Sequence, residues 1–155
     1  MQSVDPDNVR RVFLGIRPHI ALLTAADLLG MSLGELKRDI ASGMIVATKT
    51  PMGVRINREE LITAAMRLWE WTAIEAALGE KAADVLPEAV RLVQLRARVP
   101  RYQRDVLVAL AEQQGTSVDE VLRHELEDLA CCHAEELAAA VPTLRVGLAW
   151  PGQGA

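Results

Sequence analysis

Apolar residues recur along this chain at two different spacings, and the change from one to the other marks out its elements. Val9, Val12, Phe13 and Ile16 lie three and four residues apart, one face of a short amphipathic helix that stops near Pro18. The stretch TAADLLGMSLGELKRDIASG then reads as two short helices around a tight turn. Thr24 caps the first, with Asp27 three residues on, and Ser32 caps the second, with Glu35 three residues on. Gly30 supplies the corner and Gly43 closes the second helix. MIVATKTPMGVRI follows as two β-prone runs around Thr50-Pro51-Met52-Gly53, a hairpin signal. Asn57 opens a long helix over residues 58–78, apolar over a wide arc that takes in Leu61, Ile62, Met66, Trp69 and Ala73.

GEKAADVLP, residues 79–87, is a joint with room for a short helix. Beyond it the period drops to two: Val93, Leu95, Ala97 and Val99 alternate with Gln94, Arg96 and Arg98. That is the pattern of a β-strand with one buried and one open face, and Pro100 closes it. A helix to Gln114 carries Val106, Leu107, Leu110 and Ala111 on one side. Gly115 breaks it, and Thr116 or Ser117 caps the next helix, striped by Val118, Val121, Leu122, Leu126 and Leu129 and extending towards Ala140. In the tail TLRVGLAWPGQGA, Leu144, Val146, Leu148 and Trp150 alternate as an extended segment would. The expected organisation is a first domain over 1–78, a linker over 79–90, a strand-helix-helix domain over 91–140 and a tail over 141–155. The fold class is mainly α with short β-strands.

Charge changes the picture. The net charge of −4 argues against a polyanionic partner, but its distribution argues for one. From Arg91 to Arg104 there are five arginines and no acid, and from Lys37 to Arg58 five basic residues and one acid; from Asp105 onward nine acids face two arginines. A strand that offers Gln94, Arg96 and Arg98 on its open face sits inside the first of these islands. At 155 residues the chain is one ordinary domain or two very small ones. No apolar run approaches the ~18 residues of a membrane span, and the polar start MQSVDPDN is no secretory signal. Cys131 and Cys132 are adjacent with no second pair, so neither a disulfide framework nor a zinc pattern is present. The expected setting is the cytoplasm, at the nucleoid.

The order strand, helix, Gly-Thr-Ser turn, helix in RLVQLRARVPRYQRDVLVALAEQQGTSVDEVLRHELEDLA resembles the ribbon-helix-helix repressors of the Arc, MetJ and CopG kind over residues 91–130. The resemblance implies that strands from two chains pair antiparallel and lie in the DNA major groove. Val93, Leu95, Ala97 and Val99 would then close a homodimer core while Gln94, Arg96 and Arg98 face base edges, with Arg101 close behind. Glutamine offers a bidentate pair to adenine and arginine one to guanine, each worth about 1–3 kcal/mol of discrimination. The second helix would present free backbone N–H groups at Thr116, Ser117 and Val118 to a phosphate. The plainer alternative is an amphipathic edge strand whose arginines keep it soluble.

LLTAADLLGMSLGELKRDIASGMIVATKTPMGVRINREEL resembles the winged helix-turn-helix domains of excisionases and MerR-type regulators over residues 20–68. That resemblance places Lys37 and Arg38 on a recognition helix and Lys49, Thr50 and Arg55 on a wing. It departs from the family just after the cap, where Leu33, Gly34 and Glu35 stand in place of polar or basic residues; a leucine and a glycine read no base well. The competing view is a winged fold kept for dimerisation or for binding a protein, with residues 69–78 extending its last helix and Trp69 and Trp71 packing the core.

Cys131, Cys132 and His133 are read as small helix residues, the cysteines buried, rather than as a metal site. His19 and His124 are isolated, and no glycine-rich phosphate loop, nucleophile elbow or paired-carboxylate pattern occurs, so neither an enzyme nor a cofactor is expected. Two resemblances together imply a DNA-binding repressor: a homodimer on a palindromic operator, with a second winged contact per subunit. One alternative is an antitoxin whose tail adds a strand to a toxin protein and which regulates its own operon; another is an excisionase-like architectural protein that bends DNA.

Overall fold

In the computed structural model, residues 4–152 are described, and the chain divides into two compact units, one ending at Val85 and the other beginning at Leu86. The structure is mainly helical with one small antiparallel sheet.

The first unit opens with α1 (Pro6–Phe13), whose first turn is capped by the Asp5 carboxylate accepting the Asp7 N–H at 2.9 Å. There follow β1 (His19–Ala21), α2 (Leu22–Leu29), α3 (Leu33–Ala41), β2 (Thr48–Thr50), β3 (Gly53–Asn57), α4 (Arg58–Leu68), α5 (Trp71–Leu78) and α6 (Ala82–Val85). The strands lie in the order β1-β3-β2, all antiparallel; Ile20 pairs with Ile56, and Ala21 and Thr48 flank Arg55. Because strand side chains alternate, Ile20 and Ile56 point into the core while His19, Ala21, Thr48 and Arg55 share the other face. Val9, Val12, Leu29, Leu36, Leu61 and Ile74 fill the centre.

Two expectations fail here for identifiable reasons. Thr24 does not cap α2: the helix starts at Leu22 directly out of β1, and Thr24 lies exposed inside it. Pairing of β1 with β3, and burial of Ala25, Ala26, Leu28 and Leu29, set the start of the helix in place of a side-chain cap. The helix expected over 58–78 is two helices. Trp69 leaves helical geometry at φ −116°, ψ 143°, and Glu70 stands at the head of α5. Residues two apart lie about 200° apart around a helix, so a continuous helix packed on one face could bury only one of the tryptophans. The break buries both, at 6% and 4% exposure. Ser32 and Asn57 do cap α3 and α4 as their spacing predicts.

Arg58 fastens the first unit. Its backbone N–H donates to Pro18 O at 3.0 Å, its Nε to Arg17 O at 2.8 Å and its Nη1 to Val12 O, tying the start of α4 to the exit of α1 and the entry to β1. Burial lowers its pKa from the ordinary arginine value, the expected effect of drawing a cation out of water. Gly15 makes room for it. A Cβ there would lie 2.6 Å and 2.7 Å from the two Arg58 Nη atoms and 2.5 Å from Arg11 O.

The second unit runs through a 3-10 turn (Glu88–Val90), α7 (Arg101–Gln114), α8 (Val118–Cys132), α9 (Ala134–Leu137) and α10 (Leu144–Ala149). Gly115 ends α7 in the left-handed region, φ +66°, and Ser117 caps α8 by accepting the Glu120 N–H at 3.2 Å. Glu120, although buried, receives Nε and Nη2 of Arg123 at 3.1 Å and 2.7 Å. Burial works against the Arg123 charge, but its bonds to Glu120 and Glu127 outweigh that and raise its pKa. The helix expected to extend towards Ala140 stops at Cys132, and Cys131 and Cys132 are exposed, not buried. The tail is likewise corrected: 144–149 is a helix on the 3-10 turn, not a strand. An extended tail needs an edge to pair with, whereas a helix satisfies its own backbone.

Replacing Gly15 with Ala should force Arg58 out of its carbonyl cradle and lower stability by about 1–3 kcal/mol. Urea denaturation of the full chain measures this; a midpoint unchanged from the parent would mean that the cradle is not under packing constraint.

Candidate nucleic-acid interface

The alternating segment is extended and joins no sheet. From Leu92 to Pro100 the backbone carries neither helix nor ladder, and every residue is exposed. The expected strand is therefore not formed within one chain. Its apolar side lies in water with its polar side: Val93 is 87% exposed and Leu95 64%. The physical reason is that no strand of the same unit lies alongside among the described residues, so ladder geometry has no partner. Gln94 and Arg96, two apart and on one side of an extended chain, are joined by Arg96 Nη2 donating to Gln94 Oε1 at 3.4 Å. Arg98 is exposed, and Arg101, in the first turn of α7, reaches Asp105 only at 3.9 Å with its side chain 89% in solvent.

The helix hairpin behind this segment is also incompletely covered. Ala111 and Val121 are buried between α7 and α8, but Tyr102, Val106, Leu126 and Leu129 are exposed. The turn between the helices departs from expectation. The Thr116 N–H is not free for a phosphate, because it donates to Ala111 O at 3.0 Å, the bond that closes the αL end of α7. Ser117 spends its hydroxyl on the Glu120 N–H.

In the first unit α3 exposes Lys37 and Arg38. Its start is a capping box: Ser32 Oγ accepts the Glu35 N–H at 3.2 Å while Glu35 Oε2 accepts the Ser32 N–H at 2.7 Å. The bond from the Ser32 N–H, then the Ser32 hydroxyl and the Arg38 charge nearby, hold the Glu35 carboxyl below the ordinary glutamate range against the opposing effect of burial. On the β2–β3 hairpin Lys49 is exposed, opposite Val54. Thr50 has a structural task that its composition did not reveal: its hydroxyl donates to Gly53 O at 2.8 Å and accepts the Met52 N–H at 3.3 Å, closing the turn. Val46 N–H to Glu60 Oε1 at 2.9 Å, and Arg67 to Met44 O, anchor the segment between α3 and the hairpin to α4.

No family model, no curated protein and no solved structure matches this chain. The reading of its surfaces rests on its own geometry.

Sequence reasoning missed a second cationic feature. Arg11, Arg17, Arg55 and Arg58 line one cavity of about 410 Å³ with His19 and Thr24. Arg55 and Arg58 belong to the basic run from Lys37 to Arg58, but Arg11 and Arg17 lie outside it, and β1–β3 pairing with the Arg58 bonds to Val12 O and Arg17 O brings the two pairs together. No contiguous signal could have found them.

Ser32→Ala should lower the melting temperature near neutral pH, because the Glu35 N–H loses its partner. The sign with pH follows from a carboxyl held below its unfolded value. The box's contribution is complete above the ordinary glutamate range and fades as the pH falls through the lowered value. The gap between parent and Glu35→Gln melting temperatures should therefore narrow in acid; a gap constant from pH 7 to pH 2 would contradict the role given to Glu35.

Proposed function

We propose that this chain is a sequence-specific DNA-binding regulator, a repressor, that acts as a homodimer. The observation that carries this reading is the exposed segment 93–99, which joins no ladder and leads in sequence into an under-covered helix hairpin. Among the described residues, the buried apolar ones beyond Val85 are Leu86, Ala111 and Val121, against twenty before it. A unit of this size with so little core is stable only if something else covers it. A second copy supplies both missing parts at once. Its own segment completes a two-stranded ribbon, and its Val106, Leu126 and Leu129 cover their counterparts. The ribbon-helix-helix arrangement that the order of elements resembles solves the problem in this way.

Pairing through Val93, Leu95, Ala97 and Val99 leaves Gln94, Arg96 and Arg98 on the opposite side, where they can meet base edges. Lys37 and Arg38 on α3, with Lys49 and Arg55 on the hairpin, supply the second, winged contact to the same duplex. The order α1, β1, α2, α3, β2, β3 supports it. The helical tail lying on its own unit favours a regulator that keeps its tail over an antitoxin that holds it extended for a toxin.

Light scattering on the full chain should give the mass of a dimer, and Leu95→Glu should give a monomer that retains no specific DNA. Arg96→Ala should remain a dimer yet lose about 1–3 kcal/mol on the operator recovered by sequencing retained fragments, with relaxed preference at one base. Arg96→Ala binding as tightly as the parent at matched salt would remove the ribbon as the reader.

A further inference from the structure

The cavity between the end of α1, β1, α2 and β3 shares Arg55 with the proposed winged contact, but that contact makes no use of its other three arginines. Arg11, Arg17, Arg55 and Arg58 converge on it with His19, and none of the residues lining it is acidic. Four guanidinium groups drawn to one concave space repel one another unless something negative lies among them. Arg58 is already occupied by carbonyl groups of Val12 and Arg17. Arg55 is different. Its Nε is shielded from solvent and has no hydrogen-bond partner, a donor left unsatisfied where nearly all buried donors are met. The space of about 410 Å³ is that of a small-molecule site. Ile16, Ile20 and Leu28 add an apolar wall beside the charges.

We propose that this cavity binds a small molecule through a phosphoryl group, held by Arg55, Arg17 and Arg11, while Arg58 shapes the floor. Guanidinium groups suit that chemistry because their fixed N–H forks match the oxygens of a phosphate in pairs. Thr24 offers a hydroxyl to the same group, and the apolar wall receives the part that carries the phosphate. Occupancy would neutralise the cluster. The site stands whether or not the ribbon reads DNA, since none of the ribbon's residues lines it.

The test is titration of the full chain with inorganic phosphate and with pyrophosphate, chloride balancing ionic strength, followed by calorimetry. Binding should be saturable, with a Kd below about 1 mM for pyrophosphate. Arg55→Gln should weaken it about tenfold or more, and Arg17→Gln, an exposed position that does not put folding at risk, should weaken it severalfold. Lys81→Gln, the same charge change outside the cavity, should leave it unaltered. Absence of saturable binding, or equal weakening in Lys81→Gln, overturns the proposal. A mixed-sequence DNA duplex provides the other arm. If Arg17→Gln weakens duplex binding while pyrophosphate neither binds nor competes, the cluster grips a nucleic-acid backbone and the small-molecule site is refuted.

Discussion

A backbone N–H or C=O must be paired or wet, and an apolar side chain must be covered or pay for its exposure in solvent structure. The segment 93–99 lies in water outside any ladder in a single chain, and it fails the second condition. Everything proposed for the second unit depends on how that conflict is resolved. Pairing with an identical segment satisfies the ladder, removes Val93 and Leu95 from water and adds cover to α7 and α8. It also turns the polar side of the alternation outward as one continuous surface. On the proposed reading, dimerisation and recognition are two consequences of one period-two pattern.

The first unit is self-sufficient by contrast. Its core closes within one chain, and Arg58, Arg10 and Glu60 bind its pieces through side-chain to backbone bonds rather than through surface ion pairs. Such bonds position the basic residues of α3 and the hairpin on a rigid support. A chain of net charge −4 can then present local positive fields, because each island is held apart from the acids of α8 and α9 in sequence and by element.

Local chemistry was legible in the sequence; long-range chemistry was not. The caps at Ser32, Asn57 and Ser117 and the left-handed ends at Gly30 and Gly115 depend on residues three or four positions away, and all were readable from spacing. Thr24 was misread because strand pairing to Arg55, more than thirty residues on, decided where α2 begins. The break at Trp69 was hidden because helical periodicity tolerates either tryptophan alone, and only burial of both demands a bend. The alternating tail became a helix because alternation selects a strand only when an edge is available. Thr116 was offered as a phosphate contact, but the glycine that makes the turn also consumes its amide. Of the candidate interface, the charged positions on α3, the hairpin and the ribbon were visible as runs; the arginine cavity was not, since it is assembled by tertiary structure alone.

Amide hydrogen exchange, resolved by residue in the full chain, tests the central claim most directly. In a two-stranded antiparallel ladder alternate residues aim their N–H groups at the partner and the others at solvent. Two copies paired through 92–100 should show slow and fast amides alternating from Val93 to Val99, with the slow ones quickening as the protein is diluted through its dimer dissociation range. Uniformly fast exchange across the segment at every concentration would contradict the ribbon and the function built on it.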